Sequence, residues 1–171
     1  PVSLAAFLVL SDLEDGRTEL VGVVARTRKT ADAVTARRGG TRYDSLDEML
    51  DAAKPYLFRV IGPNTLGLMI PRMKLNASFA HMAAKPGEIA LLSQSGAIAT
   101  SLVDWAADKG IGFSHIVSLG DMADVDVGDY LDVLAADPGT KAVLLYLESI
   151  PNPRKYMSAA RAAARIKPVI A

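Results

Sequence analysis

Residues 90–97 read Ala-Leu-Leu-Ser-Gln-Ser-Gly-Ala, an apolar run that ends in a short polar turn. The nearly continuous apolar character from Glu88 to Leu92 predicts a buried strand, and the amphipathic stretch from Ala97 to Asp108 predicts a helix directly after the turn. The unpaired amides of a first helical turn and the positive end of the helix dipole attract anions. This stretch therefore predicts a strand, a turn and a helix arranged as an anion site.

The alternation of strand and helix continues to the end of the sequence. Helices are predicted at Val127–Ala136, with Asp126 as its cap, and at Pro153–Ile166. Further nearly continuous apolar runs predict strands at Phe113–Leu119, at Ala142–Leu147 and from Pro168 onward. Repeated βαβ units of this kind indicate an α/β fold with a doubly wound parallel sheet.

The helical periodicity also predicts which side chains face the sheet. The predicted inward residues are Ile98, Leu102, Trp105 and Ala106 in the first helix, Val127, Tyr130, Leu131 and Leu134 in the second, and Met157, Ala160, Ala164 and Ile166 in the third.

The first half of the sequence is less regular. A helix is predicted at Ser45–Ala53, where Ser45 and Glu48 form a capping box, and a strand is predicted at Leu57–Ile61. Residues 62–86 are predicted to be a long connecting loop with a functional role. Candidate strands at Leu4–Leu10 and Leu20–Ala25 precede a basic stretch that shows little periodicity.

Composition restricts the class of protein. The 171 residues carry 19 basic and 19 acidic side chains, so no nucleic-acid or anionic-membrane partner is expected. No cysteine is present, which excludes disulfides and thiolate metal sites and fits a reducing compartment, so a cytoplasmic location is expected. The apolar run Leu4–Leu10 is far shorter than the roughly 20 residues of a membrane span.

Three interpretations of the turn at residues 93–97 remain open on the sequence. The Ser93 and Ser95 hydroxyls add donors to an anion site, or one of them only caps the helix. Alternatively, Ser95 is the nucleophile of a hydrolase elbow. The hydrolase interpretation fits poorly, because Ser93 replaces the first glycine of the elbow and neither His81 nor His115 comes late enough in the chain.

Three more segments, Gly62–Gly67, Glu148 and Ser118–Asp126, are candidates for the carboxyl edge of the sheet, where open parallel sheets bind ligands. The turn Gly62–Gly67 frees the backbone to meet a ligand, or is simply a β-turn. Glu148 ends a predicted strand, where its carboxylate can orient an imidazole or is merely a solvated or capping acid. The acids between Asp121 and Asp126 fit no metal-binding loop, so they are predicted to be solvated or capping, and no metal site is predicted.

Taken together, these segments resemble the flavodoxin-like ligase domain of NDP-forming acyl-CoA synthetases, the family that includes the succinyl-CoA synthetase alpha subunit. The resemblance spans about residues 55–171, and its details are most similar to a bacterial subgroup fused to a GNAT-type protein acetyltransferase. The stretches that carry it are Arg59–Gly67, Leu75–Ala80, Ser93–Ala97, Gly110–Asp126 and Leu145–Ile150. Residues 1–54 are not assigned, and we expect them to be a remnant of a CoA-binding domain that lacks the glycine fingerprint.

The resemblance implies a chemistry and roles for individual residues. Members of the family interconvert acyl-CoA, phosphate and NDP with acid, CoA and NTP through an acyl phosphate and a phosphohistidine. The implied receiver of the phosphohistidine is Ser93, Gln94, Ser95, Gly96 and Ala97. Glu148 matches the glutamate that hydrogen-bonds the histidine, and Gly62, Pro63 and Asn64 match the loop near the acyl and CoA end. Thr65 stands in that loop where relatives often carry Cys or Ser.

The resemblance also implies cofactors and partners. CoA, NTP or NDP and magnesium are expected in the intact enzyme, together with an ATP-grasp domain or subunit and a CoA-binding domain, and the resemblance allows a homodimer. The family histidine is expected beyond Ala171, so the fragment alone is expected to be inactive and to bind none of these ligands tightly. Two alternatives stay open: a non-catalytic acyl-CoA-sensing module of a protein acetyltransferase, and an unrelated doubly wound hydrolase or binding protein.

Overall fold

A small three-stranded sheet precedes the main part of the fold. The computed structural model describes residues 5–12, 17–25, 29, 32–33, 35–36, 40–57 and 59–171. Strands β1 (Ala5–Asp12) and β2 (Arg17–Ala25) pair antiparallel, and β3 (Thr41–Arg42) runs parallel to β2. The two strands predicted in this region are confirmed, apart from Leu4, which lies outside the described residues.

A six-stranded sheet forms the centre of the α/β fold. Its strands are β4 (Gly67–Ile70), β5 (Leu75–Ser78), β6 (Pro86–Ser93), β7 (Phe113–Ser118), β8 (Ala142–Tyr146) and β9 (Val169–Ile170). They lie in the order β5-β4-β7-β6-β8-β9. Strands β7, β6, β8 and β9 are parallel, while β4 and β5 form an antiparallel hairpin on the β7 side. The predicted parallel strands and doubly wound fold are confirmed.

Helices cover both faces of this sheet. Alternate residues of β6 separate the two cores: Leu91 packs with α2 (Gly96–Asp108), whereas Ala90 and Leu92 pack with α3 (Val127–Ala136) and α4 (Pro153–Ala164). Because successive side chains of a strand point to opposite faces, α2 lies on one face and α3 and α4 lie on the other. No helix in the described ranges has the length and hydrophobicity needed to cross a membrane.

The predicted inward faces are right for α3 and wrong in part for the other two helices. Val127, Leu131 and Leu134 are buried in α3, with Tyr130 partly buried. Trp105 is 55% exposed, and Met157 and Ile166 are 44% and 65% exposed. Ala106 is buried as predicted, and the other buried residues of α2 and α4 are Ala99, Val103, Ala159 and Ala163. Small side chains bring these helix backbones close to the sheet, which leaves no room for the large ones beneath them.

The helix predicted at Ser45–Ala53 is α1 (Leu46–Ala53), and half of its predicted cap is correct. Ser45 Oγ accepts from the Glu48 amide at 3.1 Å. The Glu48 carboxylate, however, accepts from the amide of Asp44 at 2.8 Å and not from that of Ser45. The reciprocal bond therefore reaches one residue further back along the chain.

The strand predicted at Leu57–Ile61 is wrong for the residues described. Leu57 has a left-handed φ of 57° and follows a single 3-10 turn at Lys54–Tyr56, so the chain changes direction where the strand was predicted to begin. The apolar Val60 is buried against α1 and does not join a sheet. The loop predicted at 62–86 is also wrong in part, because it contains the β4–β5 hairpin.

Candidate functional site

Four chain segments meet at the carboxyl edge of the large sheet. Ser93 at the end of β6 is in register with Ser118 at the end of β7 and with Tyr146 at the end of β8. The segment that enters β4 reaches the same edge, because β4 runs antiparallel to β7. The order of the parallel strands reverses between β6 and β8, and ligands of doubly wound sheets bind at such a point.

The turn at residues 93–97 is held by its own serines. Ser93 is fully buried, and its Oγ donates to the Ser95 carbonyl at 2.8 Å and accepts from the Ser95 amide at 3.2 Å. Ser95 Oγ caps α2 by accepting from the Ile98 amide at 3.3 Å. Ser95 therefore caps the helix, and its part in an anion site stays a prediction. The Gly96 and Ala97 amides precede any intrahelical acceptor, so the first turn of α2 presents two donors to the edge.

Gln94 and Glu148 meet where β6 and β8 end. The Gln94 amide donates to the Tyr146 carbonyl at 3.0 Å, which continues the pairing of the two strands by one bond. Its side-chain Oε1 accepts from the amides of Glu148 and Ser149 at 2.5 and 2.8 Å. The Glu148 side chain is exposed at this edge, as its position in the sequence predicts.

The loop at residues 62–65 lies against the end of β7. Gly62 and Pro63 are buried, the peptide bond between them is cis, and their carbonyls accept from the amides of Ala123 and Asp121, each at 2.9 Å. Asn64 is exposed, and its Nδ2 donates to Asp121 Oδ1 at 3.2 Å.

The Thr65 hydroxyl is occupied inside the protein. It donates to the Ser118 carbonyl and accepts from the Gly67 amide at 2.9 Å. Ser118 Oγ in turn accepts from the Leu66 amide at 3.0 Å. These bonds fix the 62–65 loop to the strand end beside the first turn of α2.

The acids between Asp121 and Asp126 organise this edge. Asp126 caps α3 through the Gly128 and Asp129 amides, as predicted, and Asp129 completes a capping box. Asp124 accepts from the Val60 amide at 2.7 Å, which ties the incoming segment to the loop after β7. No group of three metal-ligating side chains occurs among the described residues.

An ion-pair cluster joins the first turns of α3 and α4. Lys155 Nζ lies 3.0 Å from Asp126 Oδ1 and 2.6 Å from Asp129 Oδ2. Burial by itself would raise the pKa of Asp129, but hydrogen bonds from Lys155 and from the Asp126 amide lower it below its ordinary value. Asp129 and Lys155 therefore stay charged at neutral pH, and their ion pair joins the two helices that flank the site.

Neither histidine of the described chain supports a serine hydrolase. His81 Nε2 pairs with Asp104 at 2.8 Å on the outside of α2. His115 lies beside Thr140 and Asp137 with its Nδ1 3.5 and 3.8 Å from their side-chain oxygens, next to the chain that leads into β8. Burial lowers the pKa of His115 and favours its neutral form, although Asp137 acts in the opposite direction. Within the described residues, Ser95 therefore has no histidine base.

An open groove of about 630 Å³ lies to one side of these loops, between α1 and the chain at residues 123–124. Its lining includes Leu50, Lys54 and Arg59 but none of the residues 93–97 or Glu148. The groove is therefore distinct from the edge at which the candidate side chains meet.

Several hydrogen bonds that shape the edge were not predicted. Ser118, Asp124 and Ser149 all bond to the loops that carry the candidate residues. Their one signal in the sequence is that each is a polar residue at or just beyond the end of an apolar strand. That signal predicts that each side chain lies at the ligand edge, but it does not predict which group the side chain bonds to.

These features define a flavodoxin-like, doubly wound domain whose ligand edge lies at the switch point between β6 and β8. Residues 86–171 match the family model described as the succinyl-CoA ligase like flavodoxin domain. The chain belongs to this family, within the NDP-forming acyl-CoA synthetases.

The chain is similar to several characterised relatives. It is 41% identical over 123 residues to acetate–CoA ligase [ADP-forming] I of Archaeoglobus fulgidus, a match that covers 72% of this chain and 18% of the relative. It is 37% identical over 155 residues to 4-hydroxybutyrate–CoA ligase [ADP-forming] of Nitrosopumilus maritimus, covering 88% and 21% of the two chains.

A solved structure has the same fold. The dinucleotide forming acetyl-coenzyme A synthetase 1 of Ca. Korarchaeum cryptofilum, in complex with phosphate and ADP, matches with a TM-score of 0.67 and 36% identity. That match covers 72% of this chain and 27% of the synthetase. The chain thus spans about a fifth to a quarter of the length of these relatives.

Proposed function

We propose that this chain is the ligase domain of an ADP-forming acyl-CoA ligase, which converts acyl-CoA, phosphate and ADP into acid, CoA and ATP. The observation that carries the proposal is the juxtaposition of the α2 first turn with Glu148 at the β6–β8 switch point, in a chain of this family. ADP is the proposed nucleotide because the matched relatives are ADP-forming ligases.

The proposed roles follow from where the side chains lie. Residues 93–97 receive phosphate, chiefly through the Gly96 and Ala97 amides, since the Ser93 hydroxyl donates within the turn and Ser95 Oγ accepts from the Ile98 amide to cap α2. Glu148 is exposed beside this turn, where its carboxylate accepts a hydrogen bond from the imidazole that carries the phosphoryl group. The exposed Asn64, held by Asp121, forms the acyl and CoA side of the site together with the buried Gly62 and Pro63 and the partly buried Thr65.

We further propose residues 55–171 as a single domain of a larger enzyme. The β4–β5 hairpin at residues 67–78 supports a domain that starts ahead of the family match at residue 86, because the hairpin belongs to the same sheet. CoA, nucleotide and magnesium binding are assigned to the complete enzyme, with its ATP-grasp and CoA-binding partners. The fusion to a GNAT-type acetyltransferase stays a prediction from the resemblance.

The function is tested on the full-length protein with ATP labelled at the γ-phosphate and magnesium. We expect protein-bound label that is acid-labile and base-stable, and formation of ATP when acyl-CoA, phosphate and ADP are supplied instead. If the folded protein binds acetyl-CoA but neither takes up label nor forms ATP, the ligase proposal is wrong and the acyl-CoA-sensing alternative replaces it.

The phosphate site itself predicts that Gly96→Val is more harmful than Ser95→Ala. A Cβ at residue 96 would lie 3.4 Å from Leu66 Cβ, so the extra methyl groups of valine are forced against Leu66 or across the amides. We expect the KM for phosphate to rise by about 10- to 100-fold, or about 1.4–2.8 kcal/mol of binding free energy. Initial rates of ATP formation at varied phosphate measure this.

Ser95→Ala removes the helix cap but leaves both backbone donors in place. It should cost about 1 kcal/mol of stability and change the KM for phosphate by less than about threefold. Equal effects of the two substitutions would contradict a site built from the backbone. Complete loss of activity in Ser95→Ala would instead identify a nucleophile.

A further inference from the structure

The carboxamide of Gln94 is directed toward the loop after β8 and not toward the open edge. Oε1 accepts from two backbone amides, those of Glu148 and Ser149, at 2.5 and 2.8 Å. Nε2 donates to Ser149 Oγ at 3.0 Å. The two backbone donors fix which end of the carboxamide is the oxygen, because an amide nitrogen cannot accept from them.

This arrangement replaces a missing strand partner. Strand β8 ends at Tyr146, so the amides of residues 148 and 149 lie beyond the last bonds of the sheet. The Gln94 backbone amide still pairs with the Tyr146 carbonyl at 3.0 Å. Oε1 of the Gln94 side chain then supplies the next acceptor along the same edge. The carboxamide thus acts as an additional backbone carbonyl for the chain that carries Glu148.

We infer that Gln94 is a positioning residue that holds the Glu148 carboxylate in its working orientation. The inference rests on the proposed function of Glu148, and it gives the Gln94 side chain a different role from the phosphate contact predicted from the sequence. Glu148 is exposed on a loop, and the carboxamide is the partner that its backbone amide has among the described residues. Displacement of a catalytic group by about 1 Å can cost about 100-fold in rate.

The test compares Gln94→Met with wild type in the full-length protein, alone and combined with Glu148→Gln. Methionine has nearly the same length, but its thioether sulfur is only a weak acceptor and cannot replace the carboxamide oxygen for the two amides. We expect Gln94→Met to lower kcat by about 10- to 100-fold, with the KM for phosphate changed less than about threefold. In the Glu148→Gln background the same substitution should lower kcat by less than about threefold, because the effects of substitutions at residues that act as one unit are not additive.

A direct phosphate contact by Gln94 predicts the opposite pattern. Gln94→Met would then lower kcat equally in the wild-type and Glu148→Gln proteins and would raise the KM for phosphate. This result would overturn the inference. Gln94→Ala also removes the acceptor and should give the same loss of kcat with little change in the KM for phosphate, whereas Ser149→Ala, which removes only the reciprocal bond, should have the smallest effect. These two variants keep the test decisive if Gln94→Met does not fold.

Amide hydrogen exchange separates this inference from the proposed function. In Gln94→Met the amides of residues 148 and 149 should exchange at least about 10-fold faster, while those of α3 are unchanged. Unchanged exchange at residues 148 and 149 would refute the positioning role of Gln94 even in an active enzyme. A wild-type protein without ligase activity would instead refute the function, and the exchange measurement would still decide whether Gln94 holds this loop.

Discussion

Glu148→Gln in the full-length protein is expected to reduce the rate of ATP formation from acyl-CoA, phosphate and ADP by about 100- to 1,000-fold. Glutamine has the same length and leaves the Glu148 backbone bond to Gln94 intact. What it removes is the negative charge that would strengthen a hydrogen bond to an imidazole at this edge. Because the side chain is exposed, the thermal stability of the protein should not change.

A matched control is available within the same sheet. Glu88 is also exposed but lies near the amino end of β6, at the opposite edge from Glu148. Glu88→Gln makes the same chemical change and should leave the rate within about twofold of wild type. Incorporation of labelled phosphate into Glu148→Gln at the wild-type rate would exclude the proposed role of this carboxylate.

The parallel part of the sheet could be predicted because its signals are local. Strand β8 is a continuous apolar run, β6 and β7 are largely apolar, and α3 has a capping aspartate at its start and an Asp-Pro-Gly turn after its end. Each element can be recognised from its own residues, and the βαβ order then fixes the fold class. The observed bounds of α3, Val127–Ala136, are those predicted.

The antiparallel hairpin could not be predicted in the same way. Strands β4 and β5 have only four residues each, and β4 is recognised as a strand by its pairing with β7, nearly fifty positions away. Conversely, the apolar run around Val60 predicts a strand but serves to cover α1. A short apolar run shows that a segment is buried without showing which surface buries it.

At the site too, contacts between segments far apart in the sequence could not be predicted. The sequence predicts that Gln94 and Glu148 follow neighbouring strands, and therefore that they lie at one edge. It does not predict that the Gln94 carboxamide binds the backbone 54 residues further on, or that Asp124 binds the Val60 amide 64 residues back. Such bonds depend on the final distance between loops, which no periodic pattern in the sequence records.

Gly120→Ala is expected to have the largest effect on stability of the substitutions considered. Gly120 has a left-handed φ of 61°, and a Cβ at this position would lie 2.1 Å from the Pro63 carbonyl oxygen and 2.9 Å from the Asn64 carbonyl. The 62–65 loop would have to move away, with loss of the bond from the Asp121 amide to Pro63. Backbone strain of about 1–2 kcal/mol and overpacking of about 1–3 kcal/mol give an expected loss of about 2–5 kcal/mol.

Gly110→Ala separates the contribution of backbone strain from that of overpacking. Gly110 also has a left-handed φ, 71°, but no atom lies within 4 Å of its added Cβ, so only the strain of about 1–2 kcal/mol applies. Exchange of the slowest β7 amides in the full-length protein measures the unfolding free energy of this domain for both variants. Equal losses of unfolding free energy in the two variants would show that the 62–65 loop moves away without further loss of stability. A larger loss in Gly120→Ala, together with a raised KM for acyl-CoA, would show that the close approach of Gly120 to Pro63 sets the acyl side of the site.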